Sequence, residues 1–300
     1  MALALPLLAA LALTQGDPAP GPERTFLEGK ALLESGDAAA LDRAIGLLEA
    51  AVKARDGDAR WHHVLGLAYG KKAQTGMLAG ARYAGKVKAE FERAVALEPT
   101  FLPARRGLME FYLAAPAIMG GSEARAEEQA REIEKLDRFA GAFAWAALHR
   151  KRGEWEAYLR QVDEAARLAD GPEQRKRLAG SLNAHGYRLL GDGKPERALE
   201  VFRRSVVAVP DDPNAHDSLG EALLATRAWA DAARSYQRSL DLGAEGNVRE
   251  ASRLGLGLAL EGLGDVAGAR RAYGAVLSVP PVKPERAAKA RDRLAALERR

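Results

Sequence analysis

"SLNAHGYRLLGDGKPERALEVFRRSVVAVP", residues 181–210, is followed almost at once by a second stretch of the same pattern, residues 213–242. Pairs of similar residues stand 34 positions apart: Gly186 and Gly220, Ala198 and Ala232, Phe202 and Tyr236, Ser205 and Ser239. A third copy, residues 254–280, is displaced by 37 because three residues are inserted in "DLGAEGNVRE"; it carries Gly257, Ala269, Tyr273 and Val276. A fixed period of this length indicates stacked, repeated units.

The residues that recur suit helices packed against one another. A glycine in the first half and an alanine in the second allow two helices to approach closely, and the following aromatic residue fills the space between units. Pro195 suits the first turn of a helix, and Pro210 suits the end of one. The whole chain of 300 residues is 47% hydrophobic but only 6% aromatic, which favours helices over strands.

Charge and cysteine content narrow the function classes. The net charge is +4, and both signs alternate along the chain, as in "REIEKLDR", so no basic stripe for nucleic acid is predicted. Cysteine is absent, which excludes disulfides, thiolate zinc sites and cysteine nucleophiles.

These residues resemble the tetratricopeptide repeat, a helix–turn–helix unit of 34 residues. The resemblance implies an all-α fold: a right-handed superhelical solenoid of about seven units and a capping helix. The predicted units span residues 24–56, 58–99, 100–137, 138–170, 172–210, 212–243 and 247–279, with the capping helix at 283–299. In the first unit the close-packing residues are Gly29, Ala44 and Leu48. The combination of "FYLAAPAIMGGS" with a long second unit also resembles exported bacterial proteins of this class whose role is unassigned.

Two units contain insertions. Gly66 and Phe91 are 25 residues apart where the regular spacing is 16, and the excess falls in "KKAQTGMLAG" (residues 71–80). With Gly107 as the close-approach position of unit three, about seven residues are inserted before Ala126, in "APAIMGG" (residues 115–121). We expect both insertions to enlarge turns on one edge of the stack, with Ser122 capping the next helix. There they are predicted to pack together and form a loop site containing Met77, Leu78, Ile118 and Met119; the alternative is that each only caps its own helices.

No catalytic constellation is found. The five histidines form no H-E-x-x-H motif, the glycines of "GLGDVAG" lack the spacing of a nucleotide loop, and no G-x-S-x-G occurs. The chain is therefore predicted not to be an enzyme and to hold no metal or cofactor.

The resemblance implies a binding groove instead. In the family, the second, fifth, ninth and twelfth positions of each first helix face the concave side. On this chain, those positions correspond to Arg60, His63, Phe101, Leu108, Phe111, Asn183, Tyr187, Asn214, Asp217 and Glu221. The groove is expected to be aromatic in its N-terminal half and polar beyond; alternatively, Phe101 and Phe111 pack beneath the insertions. We expect a protein or peptide partner, with a small solute or lipid bound by a transport-associated subunit as the alternative, and no nucleic acid.

The N-terminal segment differs from the rest. "MALALPLLAALALTQGDPAPGPE" (residues 1–23) begins with about a dozen apolar residues, too few to span a bilayer, and continues as a Pro-rich linker. It resembles a secretory signal, although no Lys or Arg precedes the apolar run. The sequence thus predicts export, with cleavage placing the mature start between Leu13 and Ala19 and no membrane span remaining; the alternative is a cytoplasmic protein.

Overall fold

The computed structural model describes residues 21–278 and 282–299. The predicted signal region therefore lies almost entirely outside the described residues. Fifteen α-helices and no strand occur within the described part of the chain, which confirms the all-α prediction. Their bounds are α1 Pro22–Glu34, α2 Leu41–Ala54, α3 Ala59–Ala73, α4 Met77–Leu97, α5 Leu102–Ala114, α6 Glu123–Leu136, α7 Arg138–Arg152, α8 Trp155–Leu168, α9 Pro172–Gly191, α10 Pro195–Ala208, α11 Pro213–Ala225, α12 Trp229–Asp241, α13 Gly246–Gly262, α14 Val266–Leu277 and α15 Pro284–Glu298.

The chain forms two compact structural units, each larger than a single repeat and containing several helix pairs. The first ends at Val162 and the second begins at Asp163. In the first unit α1 packs on α2, α3 on α4 and α5 on α6, while α1, α3, α5 and α7 pack side by side. In the second unit α9 packs on α10, α11 on α12 and α13 on α14, and α9, α11, α13 and α15 pack side by side. Each unit is thus built from helix pairs whose first helices form a shared layer.

The glycines predicted to allow close packing do so. A Cβ added at Gly186 would lie 2.4 Å from the Phe202 ring, and one at Gly220 would lie 2.8 Å from the Tyr236 ring. Gly257 and Tyr273 repeat this arrangement at 2.4 Å. Because each ring is fully buried and cannot retreat, only a residue without a side chain fits at these three positions.

The "APAIMGG" insertion is a turn, as predicted. It contains a short 3-10 helix at Ala117–Met119, followed by Gly120 with φ of +95°. A Cβ at Gly121 would lie 1.8 Å from the carbonyl oxygen of Ala115, so the reversal requires glycine there. Ser122 then caps α6, its Oγ accepting from the backbone N–H of Arg125 at 3.3 Å.

The "KKAQTGMLAG" insertion is not an enlarged turn, and that prediction is wrong. Lys71 to Ala73 complete α3, only Gln74 to Gly76 form the turn, and α4 begins at Met77. The inserted residues therefore lengthen the hairpin, and α4 reaches 21 residues. Ala, Lys, Met and Leu are all strong helix formers, which explains why the extra residues continue the helices.

Candidate functional site

The layer of first helices carries the predicted groove residues. We call the surface formed by α1, α3 and α5 the N-terminal face, and that formed by α9, α11, α13 and α15 the C-terminal face. In the N-terminal face, Arg60 is exposed, and its guanidinium pairs with the capping carboxylate of Asp58 at 2.7 Å. The N-cap thus fixes the position of a cation at the start of α3.

His63 forms the aromatic part of the N-terminal face. Its ring lies 5.5 Å from that of Phe101, edge-on, and 5.8 Å from that of Phe91. Burial and the positive charge of Arg106 lower the pKa of His63 to about 4. The imidazole is therefore neutral at physiological pH, and together with half-buried Phe101 it presents an aromatic rather than a cationic surface.

Leu108 and Phe111 are buried in the core of the first unit and do not line this face. The reason is that the register of α5 is shifted by two residues from the predicted one. A Cβ at Gly107 would meet the ring of Phe91, on the second helix of the preceding pair, at 2.7 Å, and would not meet a residue of α6. The exposed residues of α5 are accordingly Arg106, Glu110 and, at its C-terminal end, Ala114. The Phe111 ring lies 3.8 Å from the Cβ position of Gly120, so it packs beneath the "APAIMGG" turn, which was the alternative interpretation.

A pocket opens between α1 and α3 on the N-terminal face. Its volume is about 280 Å³, and it is lined by the apolar side chains of Leu33, Val64 and Leu67. The remaining lining residues are Lys30, Glu34, Gly70, Lys71 and Gln74. Leu67, on the first helix of its pair, is 42% exposed. Leu67 was not among the predicted groove residues, although it occupies the ninth position of α3 when Gly66 is the eighth.

The C-terminal face contains a chain of polar groups. Asn183 is buried and accepts a hydrogen bond from Ser205 Oγ at 2.8 Å. The Tyr187 hydroxyl shares a hydrogen bond of 3.1 Å with Ser218, whereas Asn214 is exposed at the start of α11. These predicted residues lie on one surface, but the Asn183 side chain is buried and already hydrogen-bonded to Ser205.

Asp217 is the most deeply buried acid of this face. Ser252 Oγ of α13 donates to its carboxylate at 2.6 Å and lies 2.9 Å from Ser239 Oγ. Burial raises the pKa of Asp217 to about 6, and the charge of Glu221 adds to the rise, while the Ser252 bond and Arg286 oppose it. Burial likewise raises the pKa of Glu221, against the charges of Arg286 and Lys289 from α15.

The predicted loop site is not a covered cluster. Met77 and Leu78 are each 84% exposed and Ile118 is 92% exposed, so these side chains do not cover one another. Only Met119 is half-buried, against the core of the first unit. The two inserted segments therefore present separate apolar side chains to solvent.

Two tyrosine–glutamate joints were not predicted. Tyr69 of α3 donates to Glu49 of α2 at 2.5 Å, and Tyr112 of α5 donates to Glu92 of α4 at 3.0 Å. Each joint ties a first helix to the second helix of the preceding pair. The signal was present, because both the tyrosines and the glutamates recur at a spacing of 43 residues.

Within the described part of the chain, no three His, Asp or Glu side chains converge closely enough to hold a metal ion. His62 is instead held by Glu90, 2.6 Å from its Nδ1, and by the carbonyl of Asp56. Among residues 21–278 and 282–299, no helix combines the length and apolar character needed to cross a bilayer.

No protein-family model and no curated protein matches the chain. Among solved structures, it is similar to Pseudomonas aeruginosa PilF at 17% identity and a TM-score of 0.43, over 81% of this chain and 99% of that one. It is also similar to yeast Tom70 at 14% and 0.47, over 96% and 58%, and to the Thermus thermophilus TPR protein TTC0263 at 16% and 0.38, over 79% and 99%.

The assignment of the repeat rests on the chain's own helix pairs. Glycines of first helices receive aromatic rings of second helices at Gly66, Gly186, Gly220 and Gly257. Helix pairs joined by short turns recur in both units, with their first helices packed side by side. The described residues thus form an all-α array of helix–turn–helix units, whose glycine–aromatic pairs are similar to those that the tetratricopeptide resemblance implies.

Proposed function

We propose that this protein is a non-enzymatic scaffold that binds a protein or peptide through the N-terminal face. The observation that carries the proposal is the pocket between α1 and α3, whose apolar wall is formed by Leu33, Val64 and the 42% exposed Leu67. Exposed apolar positions on a helical face are the usual anchors for a peptide side chain.

The rim of the pocket adds polar selectivity. Lys30 and Glu34 form an i,i+4 pair at 3.6 Å, and the Lys71 ammonium donates to the Leu33 carbonyl at 2.8 Å. Beyond α3, neutral His63 and Phe101 extend the apolar surface toward α5. The arrangement fits a peptide with one apolar side chain in the pocket and mixed charges on either side of it.

The experiment is a peptide-display selection on the full chain, followed by affinity measurements on the peptides recovered. Leu67→Ser is expected to weaken these peptides at least about tenfold, because it places a hydroxyl in the apolar wall of the pocket. Leu263→Ser is the matched control, since Leu263 is 49% exposed in the last helix pair of the second unit. Equal binding by wild type and Leu67→Ser would exclude the pocket as the site.

The small-solute alternative receives less support. It requires the two insertions to enclose a ligand, whereas Met77, Leu78 and Ile118 stand in solvent. Native mass spectrometry of the purified protein tests this alternative directly, because a tightly held solute adds its own mass to the intact chain.

We also propose that the protein is exported, from the apolar composition of its first residues. N-terminal sequencing of protein isolated from its host is expected to begin between Leu13 and Ala19. Recovery of chains that retain Met1 would contradict export without affecting the scaffold proposal.

A further inference from the structure

The hairpin of α3 and α4 extends beyond its neighbours. The two helices have 15 and 21 residues, whereas α5 and α6 of the next pair have 13 and 14. Where α4 packs against the "APAIMGG" turn, the Lys88 side chain reaches the Gly120 position at 3.6 Å. Met77 lies about 16 Å farther along the helix axis, at 1.5 Å per residue, so the tip of the hairpin projects past that turn.

The tip is bare and apolar. Met77 and Leu78 begin α4 and are each 84% exposed, the highest exposures of large apolar side chains on any α-helix in the described residues. Two adjacent apolar side chains at a protruding end expose their surface to water on several sides. Such exposure is characteristic of a contact surface.

The charge around the tip has one sign. From Trp61 to Ala89 the sequence contains five Lys and Arg residues and no Asp or Glu. Lys72 pairs with Asp42, Lys86 with Glu49 and Lys88 with Glu92, all acids from outside this segment. Lys71 and Arg82 form no ion pair within the described residues, so the end of the hairpin carries uncompensated positive charge.

These groups share one side of α4. Leu78, Arg82 and Lys86 are spaced four residues apart, which places them on one helical face, and all three are exposed. The face therefore has an apolar end and a cationic stem. This order matches the interface of an anionic bilayer, where apolar side chains enter the acyl boundary and cations meet the headgroups.

We propose that the α3–α4 hairpin tip docks the protein on an anionic lipid surface, with Met77 and Leu78 inserted and Arg82 against the headgroups. A lipid surface is favoured over a protein partner because the exposed side chains on this side of α4 are either apolar, at Met77 and Leu78, or cationic, at Arg82 and Lys86. The proposal is independent of peptide binding on the N-terminal face.

The test uses the absence of cysteine, which allows one fluorophore to be placed at will on the full chain. Thr75→Cys carries an environment-sensitive nitrobenzoxadiazole group at the turn beside Met77. Asp192→Cys carries the same group at the corresponding turn between α9 and α10. Vesicles of phosphatidylcholine mixed with phosphatidylglycerol are expected to shift the emission of the first probe to the blue. Pure phosphatidylcholine is expected to shift it weakly, and the second probe is expected to stay aqueous.

Variants at the tip identify the groups involved. Adding Met77→Ser and Leu78→Ser to the labelled chain is expected to abolish the shift, and Arg82→Glu is expected to weaken vesicle affinity at least about tenfold. Val207→Ser and Arg271→Glu, at exposed positions, are the matched controls. They are expected to change neither the emission shift nor the vesicle affinity. Because all these side chains are exposed, circular dichroism should show an unchanged fold.

Three results would overturn the proposal. One is an aqueous Thr75 probe while the chain is bound to anionic vesicles, which would assign membrane contact to another segment such as the apolar N-terminus. Another is a blue shift that survives Met77→Ser with Leu78→Ser. The third is a wild-type chain that fails to bind the anionic vesicles at all.

Discussion

Tyr236 lies between glycines of two successive first helices, Gly220 in α11 and Gly255 in α13. A Cβ at Gly255 would lie 2.2 Å from the ring, and the ring is only 1% exposed. Phe91 occupies the same kind of slot between Gly66 and Gly107 in the first unit. A single aromatic side chain thus holds two helix pairs together because both neighbours lack a side chain.

We expect Gly255→Ala to lower the free energy of unfolding by about 1–3 kcal/mol, the range for overpacking a filled core. Gly274→Ala on α14 is the control, because no atom lies within 4 Å of its Cβ position. There the better helix propensity of alanine should raise stability by about 0.5–1 kcal/mol. Thermal unfolding of both variants measures the difference, and equal effects would contradict the slot.

Asp217 makes stability depend on pH. Its pKa is raised, mainly by burial, from 3.8 to about 6, so the folded protein binds this proton more tightly than the unfolded chain. The contribution of this group to stability is therefore full below pH 3.8 and is lost as the pH rises toward and through 6. At neutral pH the fold holds an ionised carboxylate in a poorly solvated position.

We expect Asp217→Asn to raise the free energy of unfolding at pH 8 by up to about 2–3 kcal/mol, because each pKa unit corresponds to about 1.4 kcal/mol. The gain should largely disappear at pH 4, where Asp217 of the wild type is protonated and similar in shape to Asn. Asp192→Asn, at an exposed position, serves as the control. Denaturant titrations at the two pH values measure the gain, and a gain of the same size at both would rule out titration of Asp217 as the cause.

At the scale of helices, the tyrosine–glutamate joints connect one pair to the next. Tyr69 and Glu49 are joined at 2.5 Å, and the Lys86 ammonium lies 3.1 Å from the same carboxylate oxygen and 4.8 Å from the centre of the tyrosine ring. In the next joint, Arg125 takes the place of the lysine beside Tyr112. A hydroxyl, a carboxylate and a cation therefore recur together where consecutive pairs meet.

We expect Tyr69→Phe to lower the free energy of unfolding by about 1–2 kcal/mol, since it removes a hydrogen bond to a charged acceptor. Tyr83→Phe, on the same hairpin, is the matched control, because Tyr83 contacts Tyr69 and Lys86 through its ring. Combining Tyr69→Phe with Glu49→Gln should cost less than the sum of the two single changes, because both remove the same hydrogen bond. Full additivity would show that the two side chains do not interact.

At the scale of the whole molecule, the last helix closes an array that would otherwise end on an apolar surface. Ala290 and Leu297 of α15 join a core cluster with Leu254, Tyr273 and Val276. Arg293 of α15 also donates to the Glu261 carboxylate at 2.9 Å, which the Tyr273 hydroxyl reaches at 3.0 Å. Repeat arrays require such a capping element, because each pair buries only the surface its neighbour covers.

We expect Leu297→Ala to cost about 2–5 kcal/mol, as for other buried leucines. Hydrogen exchange should show the lost protection in α13, α14 and α15, while α1 to α6 keep theirs, because repeats contact only their neighbours. Leu263→Ala, at a largely exposed position, should leave every helix unchanged. A uniform loss of protection along the chain would contradict nearest-neighbour stability.

Local and periodic features of the fold followed from the sequence alone. The 34-residue spacing identified the glycine–aromatic pairs of the last three repeats. Ser122 and Pro195 marked two helix starts that the structure shows. These predictions succeed because helix propensity, capping and repeat period depend on residues close together in the chain. The binding roles of the groove residues remain predictions.

The tertiary structure decided which neighbour each residue meets. The sequence predicted a close approach at Gly107. Only the packing shows that the approaching residue is Phe91 of the preceding pair, and the resulting register places Leu108 and Phe111 in the core. The number of extra residues in "KKAQTGMLAG" did not distinguish a long turn from a long hairpin. The burial of Asp217 depends on α13, which is far from it along the chain. Propensity and period describe one helix at a time, whereas burial and exposure are set by surfaces that only distant helices bring together.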